Sequence, residues 1–148
     1  MKTTNKTIPI QSKATYDFVN LTNEVKDFAE TSGIQNGLLN IQILHTSAGL
    51  IMNECDEPLL AKDIAYHLEQ LAPQDRVYHH DNFEIRTVNV CDDECVNGHA
   101  HCKAIMLPSN ITLNLIDGAL QLGTYQKIFF IELDKSRDRK VQLHLIGE

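Results

Sequence analysis

Ile111-Thr112-Leu113-Asn114-Leu115-Ile116-Asp117-Gly118 is the stretch on which the architecture turns. Ile111, Leu113 and Leu115 occupy every second position, the period of a strand with one buried face. Asp117-Gly118 then supplies a two-residue turn signal. Toward the C-terminus, Tyr125 to Leu133 reads as a buried strand, and Val141, Leu143 and Leu145 alternate in a final one. The C-terminal third is therefore expected to be all β.

Toward the N-terminus the pattern is mixed. Ala100, Ala104 and Leu107 repeat at helical spacing before Pro108, which predicts a short helix from about Gly98 with Asn97 as its cap. Cys91 to Gly98 reads as a polar loop, and Val77 to Val90 as an extended hairpin or irregular strands around a His79-His80-Asp81-Asn82 turn. Pro58 suits the first turn of a helix ending near Leu71, with Leu60, Ile64, Leu68 and Leu71 on one face. Leu50 to Met52 and Leu38 to Leu44 read as strands. Phe18, Leu21, Val25, Phe28 and Ala29 predict a helix over Asp17–Thr31, closed by Gly33, and Lys6 to Ser12 reads as a first strand. No repeat or linker interrupts the chain, so residues 1–148 are expected to form one α+β domain around a largely antiparallel sheet.

Composition narrows the function. The 148 residues are 43% hydrophobic and 22% charged, enough for one core. With 13 Lys and Arg against 20 Asp and Glu, the net charge of −7 argues against nucleic acid as a partner but leaves room for a local anion pocket. No apolar run reaches membrane-spanning length and the N-terminus lacks a signal-peptide core, so a cytoplasmic protein without membrane contact is expected. Free thiols at Cys55, Cys91, Cys95 and Cys102 suit that compartment. Cys91-x-x-x-Cys95-x-x-x-His99-x-His101 carries zinc-competent donors, but it lacks paired Cys-x-x-Cys knuckles, and small packing residues are the favoured reading.

The polar candidates cluster around histidines. Gly98-His99-Ala100-His101, beside Asp92, Asp93 and Glu94, offers metal or proton chemistry. If that segment is helical, His99 and His101 diverge by roughly 200° and cannot share one ion. An extended segment would restore the shared reading. His45-Thr46-Ser47 places an imidazole and two hydroxyls at a strand end, with a buried structural histidine as the alternative. Glu54 is a candidate base or ligand, with helix capping as its alternative, and His80 beside Asp81 resembles an oriented imidazole. Arg86, Arg137 and Arg139 are candidate phosphate binders, although surface arginines are common.

Ser109-Asn110-Ile111-Thr112-Leu113-Asn114-Leu115-Ile116-Asp117-Gly118, continued by Ala119-Leu120-Gln121-Leu122-Gly123-Thr124-Tyr125-Gln126-Lys127-Ile128, resembles the signature of the YjbQ-like family, also called secondary thiamine-phosphate synthase enzymes. His45-Thr46-Ser47-Ala48, Asn53-Glu54 and Gly98-His99-Ala100-His101 fit its other blocks, so the resemblance spans nearly the whole chain. The chain departs from the commoner pattern at Cys55-Asp56-Glu57-Pro58 and at Tyr125, where tryptophan is frequent. Some relatives keep only the histidine matching His101.

The resemblance implies a largely antiparallel β-sheet sandwich with helices packed on one side, a homotrimer with pockets near subunit boundaries, and weak thiamine-phosphate synthase activity. That activity joins a pyrimidine pyrophosphate to a thiazole phosphate, giving thiamine phosphate and pyrophosphate. The expectation is an enzyme for a small phosphorylated metabolite, with His45, Glu54, His80 and His101 catalytic. Ser47, Asn53, Arg86, Gln126 and Arg137 would bind substrate. A divalent metal, zinc or magnesium, would sit on His45, His99 and His101. The alternative is a non-catalytic trimeric metabolite- or metal-binding protein.

Overall fold

Lys127–Glu132 forms strand β7, and every residue from Ile128 to Glu132 is buried. Both of its faces are covered, which is why its apolar residues run continuously instead of alternating. In the computed structural model, which describes residues 1–90 and 95–148, β7 is the centre of a three-stranded antiparallel sheet. Its neighbours are β2 (Phe18–Asn20) and β4 (Ala48–Asn53). A second sheet has the order β1-β8-β3-β5-β6, from Lys2–Gln11, Asp138–Gly147, Gly37–Ile43, Asn110–Ile116 and Ala119–Leu120, and all its pairs are antiparallel.

The inner faces of the two sheets share one core. Leu39, Ile41, Leu113, Val141 and Leu143 meet Leu50, Ile128 and Phe130. The outer face of the three-stranded sheet carries α2 (Ala65–Leu71) and α3 (Gly98–Ala104), where Leu68 and Ala100 pack on Ile131 and Leu133. Helix α1 (Thr22–Glu30) packs against β6 and β7, and its Val25, Phe28 and Ala29 join the inter-sheet core. The fold is thus an α+β antiparallel sandwich. Among the described residues no helix is long and apolar enough to cross a membrane.

Alternation locates β5 and β8 correctly, each buried at every second residue over most of its length. Asp117 (φ 50°) and Gly118 (φ 74°) make the two-residue β5–β6 turn, with Leu115 opposite Leu120. Two positive φ values in succession match a type I′ turn and the right-handed twist of its strands.

Four expectations need correction. The segment read as one helix over Asp17–Thr31 is divided, because Phe18–Asn20 pairs with Phe129–Ile131 and only Thr22–Glu30 is helical. Asn20 Oδ1 accepts from the Thr22 N–H at 3.0 Å, so a side chain opens the helix after the strand. Val77–Val90 contains no strand, only the 3₁₀ turn His79–Asp81; Val77, Ile85 and Val88 are exposed and have no sheet face to enter. Leu59–Ile64 winds as a π-helix before α2, which changes the facing of later residues and leaves Leu71 exposed. Tyr125 lies outside β7 and is also exposed.

Candidate functional site

A carboxylate interrupts the apolar run of β7 at its end. Glu132 is 0% exposed and Arg139, on β8, is 5% exposed. Arg139 Nε donates to Glu132 Oε2 at 2.7 Å, and its Nη2 reaches both Glu132 Oε1 and Ser47 Oγ, the latter at 3.1 Å. Ser12 Oγ donates to Glu132 Oε2 at 2.7 Å and the Asp134 N–H to Oε1 at 3.0 Å. A buried ion pair is tolerable when its remaining hydrogen-bonding positions are filled this way. It ties the β3–β4 connection to β7 and β8.

A second carboxylate organises the β7–β8 connection. Asp134 Oδ2 accepts from Arg137 Nε at 2.8 Å and from Asn97 Nδ2 at 3.1 Å. Arg137 Nη2 also contacts Cys95 Sγ at 2.9 Å. Burial opposes the charge of Arg137, but Asp134 outweighs it and raises the guanidinium pKa. Arg86 donates to the carbonyls of His80 at 3.4 Å and Asn89 at 2.6 Å.

Helix α3 delivers its histidines to opposite sides. Its cap is Asp81, whose Oδ1 accepts from the N–H groups of Asn97 and Gly98, each at 2.9 Å; Asn97, expected as the cap, makes no side-chain cap bond. Gly98 is required here because a Cβ would lie 2.5 Å from Tyr78 Cβ. His101 Nδ1 lies 3.1 Å from the Thr46 carbonyl oxygen, and its ring meets His80 edge-on with centroids 4.6 Å apart. A carbonyl can only accept, so Nδ1 carries the proton and Nε2 keeps its lone pair. Burial, then the His80 charge, lowers the His101 pKa and favours that neutral form.

His80, Arg86, Asn97, His101, Arg137 and Arg139 line one cleft of about 320 Å³, with Thr46 and Ser47 at its edge. Of the expected site residues, Ser47, His80, Arg86, His101 and Arg137 therefore converge. The others do not. Asn53, Glu54 and Gln126 line a separate cleft at the opposite end of the β4–β7 pair. There Asn53 Oδ1 caps the Glu54 N–H at 2.8 Å, and Gln126 Oε1 accepts from the Gly123 N–H at 2.8 Å. His45 lines a third, with Ala104 and Leu107, and its Nε2 accepts from the Lys140 N–H at 2.7 Å.

His99, 8% exposed, faces away from His101, with Nδ1 3.3 Å from Lys103 Nζ. Lys103 is fully buried and pairs with Glu69 at 2.9 Å, while the Tyr16 hydroxyl also donates to Glu69. Burial alone would raise the Glu69 pKa, but Tyr16, the Gln74 N–H and Lys103 together lower it to about 2.

The three-imidazole metal set does not fit this geometry. His99 and His101 diverge, the His45 Nε2 lone pair is engaged, and among the described residues no three His, Cys, Asp or Glu side chains gather as ligands. Cys91, Asp92, Asp93 and Glu94, expected beside the histidines, lie outside the described residues. Arg139 was legible as a phosphate candidate, but its pairing with Glu132 was not anticipated, nor were the roles of Asp134 and Asp81. Glu132 inside Ile128-Phe129-Phe130-Ile131 and Leu133 was the available signal, since a charge in a buried strand requires a partner.

These histidines predict an acid-sensitive fold. Burial is the first cause lowering the pKa of His45, His99 and His101 from 6.5. The unfolded chain then binds more protons than the folded one just below that value, so stability is full above it and declines as pH falls through the folded values. A second loss follows between 4.5 and about 2, as Glu69 protonates. Urea midpoints measured across this range should fall in two stages; a midpoint flat from about pH 7 to pH 5 would contradict the histidine assignment.

Comparison with known proteins places the chain in a family. Residues 6–148 match the family model described as "UPF0047 protein YjbQ-like". The chain belongs to the YjbQ-like UPF0047 family. A UPF0047 protein of Methanothermobacter thermautotrophicus is 32% identical over 148 residues, covering 100% of this chain and 95% of that protein. UPF0047 protein YugU of Bacillus subtilis is 28% identical over 144 residues, with 96% and 98% covered. Among solved structures, a YbjQ-like protein from Sulfolobus solfataricus superposes with a TM-score of 0.86 at 30% identity, covering 99% of both chains. A Clostridium acetobutylicum yjbq/upf0047 family protein gives 0.79 at 32% identity, covering 95% of this chain and 99% of that one.

Proposed function

We propose that this YjbQ-like protein is an enzyme acting on a small phosphorylated metabolite, bound in the cleft between the β3–β4 connection, the β7–β8 connection and α3. The observation that carries this reading is the convergence of Arg86, Arg137 and Arg139 with His101, whose Nδ1 is engaged by the Thr46 carbonyl. Guanidinium forks match phosphate oxygens, and a neutral imidazole with a free Nε2 can take a proton from a bound substrate. His80 supports the His101 ring, and Ser47 fixes Arg139 at the cleft edge.

Within this proposal, the resemblance to secondary thiamine-phosphate synthase enzymes implies a weak thiamine-phosphate synthase-type transfer. In that reaction the thiazole nitrogen bonds to the pyrimidine methylene carbon as its bond to pyrophosphate breaks. The thiazole nitrogen has no proton to lose, so in this step the arginines would stabilise the departing pyrophosphate and His101, protonated at Nε2 once the bound anion has raised its pKa, would donate to it. Because the three-imidazole metal set does not assemble, no step is assigned to a metal. We place the protein in the cytoplasm and its assembly as a homotrimer, with exposed Val77, Ile85 and Val88 as candidate contacts; sedimentation equilibrium would test the latter.

A second reading, metabolite binding without catalysis, draws on the pairing of Arg137 with Asp134 and of Arg139 with Glu132, which offsets much of the cleft's positive charge. Titration with inorganic phosphate and pyrophosphate, followed by the imidazole resonances of His101 and His80, tests what both readings share. Anion binding should raise the His101 pKa and be weakened about tenfold or more in Arg137→Gln. Imidazole signals indifferent to both anions would remove the anion cleft from consideration.

A further inference from the structure

Asn97 is held from every side but one. Its N–H donates to Asp81 Oδ1 at 2.9 Å, and its carbonyl accepts from the Ala100 N–H at 2.9 Å. Its side-chain Nδ2 donates to Asp134 Oδ2 at 3.1 Å. That last bond settles the amide orientation, because the opposite flip would set a carbonyl oxygen against a carboxylate. The residue lines the arginine cleft and is 6% exposed, yet its Oδ1 has no hydrogen-bond partner among the described residues. His80 Nε2, in the same cleft, is likewise buried and without a partner among the described residues. Buried polar atoms are seldom left unpaired, and two in one cleft call for an explanation.

The dianion of a phosphate monoester cannot satisfy Asn97 Oδ1, since both are acceptors. The missing partner must be a donor. An ammonium group would be a buried cation without a counter-ion, because the carboxylates ion-paired to the lining, Asp134 and Glu132, are already taken by Arg137 and Arg139. A neutral hydroxyl is not penalised in this way. His80 Nε2 can accept from a second hydroxyl or donate to it, according to its tautomer.

We infer that the cleft selects a phosphorylated polyol, with the phosphate on the arginines and a hydroxyl read by Asn97 Oδ1. This rests on the anion-cleft reading and deepens it by naming the group that must accompany the phosphate; it is independent of the thiamine-phosphate synthase-type transfer, whose two substrates carry no free hydroxyl. Asn97 is in this sense a specificity-determining residue, distinct from the residue that moves a proton.

Calorimetric titration of the full chain with inorganic phosphate, glycerol 1-phosphate and propyl phosphate tests the inference. The two organic phosphates match in length and differ in their hydroxyls. Glycerol 1-phosphate should bind about tenfold or more tightly than propyl phosphate, because the analogue leaves the buried acceptor unpaired. In Asn97→Ala that ratio should collapse toward one. Inorganic phosphate binding together with equal affinities for the two organic phosphates in the wild type would overturn the polyol inference and leave the anion cleft standing. Failure of all three to bind would overturn both. The wild-type ratio decides the matter even if Asn97→Ala does not fold.

Discussion

Arg139→Ala should destabilise the protein by about 3–5 kcal/mol, because it leaves a carboxylate in the interior without its cation. Glu132 would keep only the Ser12 hydroxyl and the Asp134 N–H, at a position with no exposure to water. Ser47 Oγ would lose its guanidinium neighbour as well. Since domains of this size are stable by only about 5–15 kcal/mol, that loss takes between about a fifth and all of the stability. Paired replacement, Glu132→Gln with Arg139→Met, should cost less than the sum of the single changes because no charge is stranded. Urea unfolding of the three variants measures this directly. An Arg139→Ala cost below about 1 kcal/mol would mean that water reaches Glu132 and that the pair is not buried in solution.

His101→Ala is the corresponding test of chemistry. In an assay of pyrophosphate release from the pyrimidine pyrophosphate and thiazole phosphate pair, turnover should fall by roughly 10²–10⁴-fold, the usual contribution of a positioned acid or base. His101→Gln should not rescue it, since an amide can donate to the Thr46 carbonyl but has no acidic proton to give the departing pyrophosphate. His45→Ala provides the contrast. Its Nε2 serves the Lys140 N–H, so that change should lower stability while turnover per folded molecule stays near wild type. Unchanged turnover in His101→Ala would sink the catalytic assignment and favour the binding reading.

The strands with strict alternation and the Asp117-Gly118 turn were legible because each depends on local period and local backbone conformation. Helix α3 was legible for the same reason, and with it the divergence of His99 from His101. Residues whose roles depend on distant partners were not. Asn97 has cap chemistry, but Asp81, 16 residues earlier in the chain, performs the capping. Phe18 fits a helical face equally well, and only pairing with the edge of β7 makes it part of a strand. Asn53, Glu54 and Gln126 looked like parts of the His101 site, but β4 and β7 carry them to its far end. Ser47 and Asn53 are close in sequence, yet an extended strand separates them by about 20 Å.

Helix α3 has seven residues, too few to persist alone in water. Its order is borrowed: Asp81 holds the first turn, Ala100 rests on Ile131 and Leu133, and Lys103 is held by Glu69. His101 is therefore aimed by neighbours from three separate segments, and its side of the cleft is held by α3 and not by the sheets alone. Its opening free energy is a local quantity, and a ligand that bridges Arg137 and His101 would raise it without strengthening the β-sheets at all.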